Sequence, residues 1–386
     1  MRTEVPAGDV LLADAAAAWV GAYVHIPFCR RVCPYCDFAV VEGQDDLRSP
    51  YLAALIAEIQ REPRFTRPLD AVFVGGGTPT AVDPVDLGRV IAALDDRLGL
   101  APDAEISLEA NPEDLTPRVA AALADQGFNR ISLGVQSFDP VVLQALGRRH
   151  DPDMAAEAIV AALSAFPSVN VDLIFGTPGE AVSSWRDSVE RALGAGVHHL
   201  SAYALTVERG TPLGRAVQAG APAPDPDDQA AKYDIVVKAA AAAGLDRYET
   251  SNFAMPGHHC RHNLLTWAQG EYAAFGNGAH RHRAGTRSWN VRRLDRYVER
   301  AADSAVSGDE TLDPWGREVE RVALGLRRAA GVVAGRAGGA LLESPEGRRL
   351  LDAGVIGAVG DRIVVTRPLL GDEVARTLLA LQPGDC

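Results

Sequence analysis

Three of the chain's five cysteines, Cys29, Cys33 and Cys36, stand within eight residues in the order C-x3-C-x2-C. Thiolates are soft ligands that suit zinc, copper(I) or iron–sulfur clusters. Structural zinc wants four closed ligands, typically from two C-x2-C knuckles, and no second knuckle follows here. His25 is the nearest residue able to act as a fourth ligand, but a place inside a strand four residues before Cys29 is not knuckle geometry. Three thiolates on one short loop can instead hold three irons of a [4Fe–4S] cube and leave the fourth iron open. An open coordination position is what a ligand-binding metal centre requires.

The other residues with chemical potential recur in short motifs. "GGGTPT" (residues 75–80) contains Gly76, Gly77 and Thr78; glycine lets a backbone approach a ligand closely, and without a following G-K-[ST] the run is not a P-loop. Glu109 lies in "LEANPE", Gln136 in "GVQSF", Arg148 in "LGRRH" and Asp172 in "NVDLIFG". Singly, each has an ordinary structural reading. His258, His259 and Cys260 leave a second metal site open, although their spacing fits no zinc pattern, and Cys386 at the end of the sequence reads as incidental.

The elements that must position these residues are legible from periodicity. Strand-like runs at residues 22–28, 71–77, 105–112, 130–138, 169–179 and 199–208 alternate with amphipathic stretches such as 51–62 and 118–127. Such repetition predicts an α/β fold of parallel strands with crossover helices. Six units are too few for a closed eight-fold barrel and suit a partial (β/α)6 barrel. Ligands in such folds gather at the C-terminal ends of the strands, where the cysteines and the motifs above fall.

A Pro- and Asp-rich stretch, 219–229, reads as an exposed loop, followed by a helix over about 229–243 and a strand in "DRYETSNFA". The last hundred residues read as a small α+β subdomain: helix, a two-stranded wing around "GDR", and helix. The expected organisation is a poorly structured N-terminal extension (1–20), a core domain (21–250) and a C-terminal domain (251–386).

The chain has 386 residues and a formal net charge of −13, with Lys232 and Lys238 its only lysines. That acidity argues against sequence-independent nucleic-acid binding, which needs a basic face. The first twenty residues lack a basic n-region, and no apolar run approaches the about 20 residues of a membrane span. The expected location is the cytoplasm.

The cysteine spacing, with Tyr35 just before the third cysteine, resembles the radical S-adenosylmethionine (SAM) superfamily, whose [4Fe–4S] cluster binds SAM at its open iron and reductively cleaves it. The series of motifs further resembles the branch that contains oxygen-independent coproporphyrinogen III oxidase and the HemW family of heme chaperones, over about residues 23–289. This resemblance implies that Cys29, Cys33 and Cys36 hold the cluster. It implies that the "GGGTPT" backbone meets the amino group of SAM and that Glu109 meets its ribose hydroxyls. Tyr23, Gln136, Arg148 and Asp172 match further SAM-contacting positions.

Three features favour the chaperone side over the oxidase. Phe38 stands where the oxidase has an additional cysteine, the N-terminal arm is short, and "HNLLTW" resembles the chaperone motif H-N-x-x-Y-W. His262, Asn263 and Trp267 match that motif; Thr266 replaces its tyrosine. An imidazole is a natural axial ligand to heme iron and an indole can stack on a porphyrin; the alternative is that both pack in an inter-domain seam. The implied ligands are the cluster, SAM and heme, with transfer to an acceptor hemoprotein, at the membrane in some cases, and a dimer allowed. No residue is assigned as catalytic.

Overall fold

In the computed structural model, which describes residues 7–382, the six expected strands are β1 (Val20–Ile26), β2 (Leu69–Gly76), β3 (Leu100–Ala110), β4 (Arg130–Gln136), β5 (Ser168–Phe175) and β6 (His199–Ala204). They pair parallel in chain order. The crossover helices begin where the sequence provides a cap followed by proline. Asp83, Thr116 and Asp151 each accept a hydrogen bond from an amide of the first turn, with Pro at the first helical position. This arrangement satisfies an orphan amide and presets φ.

The strands alternate in register with the lumen. Ile131, Leu133 and Val135 of β4 are buried in the main hydrophobic core, while Arg130, Ser132, Gly134 and Gln136 line an inner cavity. Period two along a strand sends these two sets to opposite faces.

Six further strands extend the sheet: β7 (Asp246–Arg247), β8 (Asn252–Ala254), β9 (Glu271–Phe275), β10 (His280–Arg283), β11 (Thr286–Asn290) and β12 (Val306–Thr311). The order is β12-β11-β10-β9-β1-β2-β3-β4-β5-β6-β8-β7, open at both ends. β9 runs parallel to β1, whereas β10 to β12 are antiparallel. The single strand expected in "DRYETSNFA" is two short ones, β7 and β8. The sheet also carries across residue 250, the expected domain division, and a separate hydrophobic core begins only at Val319. That core packs helices around a three-stranded antiparallel sheet, Val332–Val333, Arg362–Val365 and Ile356–Val359, one strand more than the expected wing.

The N-terminal stretch departs from expectation. Residues 1–6 lie outside the described residues, but Ala7–Ala15 is helical. Leu12 of this helix, and Ala16 just after it, pack with Tyr248 and Leu264. Arg328 donates to the Ala13 carbonyl (2.7 Å) and Arg362 pairs with Asp14 (3.1 Å). An alanine-rich helix is thus held by two arginines of the C-terminal portion.

The sheet extension is joined to the helix Arg48–Arg61 by one buried acid. Glu58 accepts from Tyr297 Oη (2.6 Å), Asn290 Nδ2 (2.7 Å), the Gly276 amide (3.0 Å) and Arg281 (3.3 Å). Burial pushes its carboxyl pKa up against these donors. Glu58→Ala would leave the buried Tyr297 hydroxyl and Gly276 amide without their acceptor, while Arg281 keeps Glu62 (3.0 Å) and Asn290 Nδ2 keeps the Gly276 carbonyl (2.9 Å). The expected cost is about 1–3 kcal/mol in urea denaturation, with a smaller loss for Glu58→Gln.

Candidate cluster and cofactor site

The cysteine loop leaves β1 at Ile26 and is clamped at its base. Phe28–Cys29 pairs in parallel with Val41–Glu42, and the Val41 amide donates to the Pro27 carbonyl (2.8 Å). His25 is a brace and not a fourth ligand, since both of its nitrogens are engaged. Nε2 bonds the Ala39 carbonyl and Nδ1 the Tyr23 hydroxyl, each at 3.0 Å. Burial, foremost, lowers its pKa to about 4, so it is neutral. Asn277, in the turn after β9, donates to the same Ala39 carbonyl (3.0 Å).

The three loop cysteines are free thiols and line a cavity of about 570 Å³ at the strand ends. A chain of hydrogen bonds runs from one sulfur to another. Thr78 Oγ1 donates to Cys29 Sγ (3.7 Å) and accepts from Asn111 Nδ2 (2.9 Å). Asn111 Oδ1 accepts from Arg148 Nη2 (2.5 Å), and Arg148 Nη1 donates to Cys33 Sγ (3.5 Å). Burial pushes the Cys29 pKa up to about 11; Thr78 opposes this and the other two cysteines add to it. Burial likewise raises that of Cys36. Sulfurs so placed ionise readily only against cations, and iron supplies that charge while using one thiolate per metal atom. Among the described residues no three His, Cys, Asp or Glu side chains converge as a single-ion site. The donor set therefore fits a cube better than zinc.

The glycine turn is shaped against this loop. Gly76 has φ +109°, and a Cβ there would come within 2.3 Å of the His25 ring. A Cβ on Gly77 would come within 2.8 Å of the Ile26 carbonyl. The Gly77 and Thr78 amides donate to the carbonyls of Ile26 and Phe28, each at 2.8 Å. The Gly76 amide donates to Glu109 Oε2 (2.9 Å). With its amides engaged, the turn has carbonyl oxygen to offer a ligand's ammonium group.

Glu109, Gln136, Arg148 and Asp172 all reach the same cavity. Burial raises the Glu109 pKa to about 7; the Gly76 amide opposes the rise and Asp172 adds to it. Asp172 accepts from Ser132 Oγ (2.9 Å) and Asn170 Nδ2 (2.8 Å). Gln136 holds φ +68°, a left-handed conformation costing a non-glycine residue about 1–3 kcal/mol. Its Oε1 is buried with no partner among the described residues. Strain and an orphaned acceptor together on a cavity wall mark a position shaped for a ligand. Tyr23 is behind the wall: its ring stacks on Phe73 at 6.4 Å, and Phe73 is the one exposed to the cavity.

The helix Arg261–Trp267 divides the C-terminal motif. Asn263 reaches the cavity wall. His262 lies beside Phe73 and Tyr23, with ring centroids at 5.4 and 6.1 Å, and Tyr272 meets it edge-on. Burial lowers its pKa to about 4, and Nδ1 has no described partner. Trp267 has the Arg327 guanidinium 4.8 Å over its ring. Neither His262 nor Trp267 lines the cavity that Asn263 reaches. Thr266 donates to the His262 carbonyl (2.9 Å). Cys260 is buried, and Cys386 lies outside the described residues. Sequence reasoning missed Asn111, Arg130 and Tyr203 on the cavity wall. The polar alternation of their strands is the signal that would have found the latter two.

Comparison with known proteins agrees with this architecture. The profile of the radical SAM superfamily matches residues 23–192. The chain is 42% identical over 370 residues to the heme chaperone HemW of Mycobacterium tuberculosis (strain H37Rv), covering 93% of this chain and 94% of that one. It is 36% identical over 318 residues to the heme chaperone HemW of Bacillus subtilis, covering 81% and 84%. The solved coproporphyrinogen III oxidase (HemN) of Escherichia coli, described as a radical SAM enzyme, superposes with a TM-score of 0.78 at 21% identity, covering 97% of this chain and 93% of that one.

The sulfur-to-sulfur relay yields a test. Asn111→Ala should cost the apo protein about 1–3 kcal/mol, read by thermal unfolding. After anaerobic reconstitution it should also speed cluster loss in air. Loss at the wild-type rate would show that the relay does not hold the sulfurs.

Proposed function

The chain belongs to the HemW family of radical SAM proteins, and from that premise we propose that it is a heme chaperone that works with one [4Fe–4S] cluster and SAM. The observation that carries the reading is likeness along nearly the whole chain to proteins named heme chaperone, together with a cavity whose donors fit both cofactors. Cys29, Cys33 and Cys36 hold the cluster, and Thr78 and Arg148 steady two of the sulfurs. Glu109 accepts from the SAM ribose hydroxyls, as a carboxylate can take two donors. Gln136 uses its free Oε1, Gly76–Thr78 receive the amino group, and Arg148 and Asp172 complete the wall. When bound, a reduced cluster of this kind supplies one electron to SAM.

His262 is the proposed axial ligand for heme. It is neutral, and no described residue bonds its imidazole nitrogens, which leaves a lone pair for iron. Trp267 is left out of the heme site because Arg327 covers its ring. The protein would act in the cytoplasm and hand heme to an acceptor hemoprotein, membrane-associated in some cases; a dimer is compatible with this reading. Among the described residues no helix is long and apolar enough to cross a membrane.

A second reading, coproporphyrinogen III oxidation, draws on the shared fold. Against it, Phe38 stands where the oxidase has a further cysteine, and its ring is 60% exposed.

Two measurements test the proposal. Hemin titration should give a Soret shift that His262→Ala weakens, while coproporphyrinogen III with SAM and a reductant should give no protoporphyrinogen. An unchanged titration removes His262 as ligand, and robust turnover removes the chaperone reading. Separately, Glu109 takes two hydroxyl donors best as a carboxylate, and burial raises its pKa in the free protein to about 7. SAM binding should therefore tighten as pH rises through 7, and Glu109→Gln should flatten that dependence in equilibrium dialysis.

A further inference from the structure

Below the cofactor residues, the lumen carries a second polar layer whose members mostly satisfy one another. Asn170 Nδ2 donates to Ser132 Oγ (2.6 Å) and Ser201 Oγ (3.0 Å). His199 bridges Asn170 Oδ1 (2.6 Å) and the Tyr248 hydroxyl (2.8 Å). Arg130 is the exception. It is 2% exposed, yet its guanidinium donates no hydrogen bond to any described residue, and Nε is a buried orphan. The nearest carboxylate, Glu105, is 4.0 Å from Nε, beyond hydrogen-bond reach. Glu105 Oε2, the oxygen that faces Arg130, supplies a countercharge at ion-pair distance but no hydrogen bond, while Oε1 is held by the Arg261 amide (3.0 Å). A buried guanidinium is always charged and has five donors in a planar fork. Glu105 offsets part of the cost of burying that charge, but the donors of the fork stay without an acceptor until a further anion meets them.

Arg130 also belongs to the cavity lining, as does Asn263. It begins β4, whereas Gln136 ends it, six residues on. At about 3.3 Å per residue the two Cα positions are roughly 20 Å apart along the strand. An acceptor for Arg130 thus sits at the deep end of this cavity, about the length of the strand from the cluster end, where SAM is proposed to bind.

We propose that Arg130, in the cavity that Asn263 also lines, forms a carboxylate subsite at the floor of the lumen that receives an acidic side arm of the cargo. Assigning that arm to a tetrapyrrole rests on the heme reading above; heme carries two such propionate arms. The planar fork suits bidentate recognition of a carboxylate, and the low dielectric of the floor strengthens it.

The experiment compares hemin with hemin dimethyl ester, in which both carboxylates are masked, on reconstituted full-length protein. Wild type should bind hemin tighter than the ester, by on the order of tenfold or more. Arg130→Gln should abolish that advantage while leaving ester affinity unchanged. An advantage that persists in Arg130→Gln overturns the subsite. If Arg130→Gln fails to fold by circular dichroism, Arg130→Lys, which keeps a charge but loses the fork, should retain only part of the advantage. Equal binding of hemin and ester by wild type overturns the subsite without any variant. Failure of wild type to bind either compound sinks the heme reading itself, a result distinct from hemin binding that ignores esterification.

Discussion

Three half-buried thiols crowd one loop, desolvation resists the ionisation of two of them, and the architecture around the lumen mouth answers that constraint. Desolvation and mutual repulsion hold Cys29 and Cys36 toward their neutral forms. What can offset this is positive charge and hydrogen-bond donors, and each has a fixed source. Arg148 brings both to Cys33, and Thr78 brings a hydroxyl to Cys29. Asn111 couples the two, so that neither donor can turn away without breaking a buried amide contact. The backbone is fitted to the same end: Gly76 and Gly77 let β2 exit directly against the β1 turn. The extension after β9 returns through Asn277 to the Ala39 carbonyl that His25 also binds.

A second consequence concerns sign. The lumen holds Glu109 and Asp172 with carboxyl pKa values raised, chiefly by burial. Acids in that state are poised to ionise when a ligand brings donors or cations, because the ligand then replaces lost water. The cation-rich residues are distributed to two levels, Arg148 by the sulfurs and Arg130 at the floor. One cavity thus presents a cation-accepting rim of thiols, an acid belt and a basic floor. A ligand system of cationic cluster, hydroxyl-bearing nucleoside and acidic cargo follows the same order.

Much of this was legible in the chain. The Cys29–Cys33–Cys36 spacing, the βα alternation and the placing of motifs at strand ends all reappear in space, because each depends on short-range periodicity. The polar lumen was also written in the sequence. Glu105, Ser107 and Glu109 alternate with apolar residues in β3, as do Asn170 and Asp172 in β5. Inside a barrel whose outer face is covered by helices, such alternation puts polar groups inward. Other features depend on contacts between distant segments. The N-terminal helix gains its order from Arg328 and Arg362, more than three hundred residues away. The joining of β9 to β1 and the turning of Trp267 under Arg327 likewise have no local signature.

The distinction between a heme maker and a heme carrier lies outside the fold. A TM-score of 0.78 at 21% identity speaks for shared architecture and for nothing finer, since one scaffold hosts many functions. The cluster loop, glycine turn and acid belt would serve either role. What differs is at the margins of the lumen. At the mouth, Phe38 offers an exposed apolar ring where a further sulfur would be expected for the oxidase. At the side, His262 is neutral and unbonded but stacked against Tyr23 and Phe73. A ligand that must part such a stack before it can bind loses apparent affinity in proportion to the rarity of the open state. An enzyme that must hold substrate through a radical reaction gains nothing from that loss. For a carrier that used His262 as proposed, the same loss would be useful, because its cargo would be more easily surrendered.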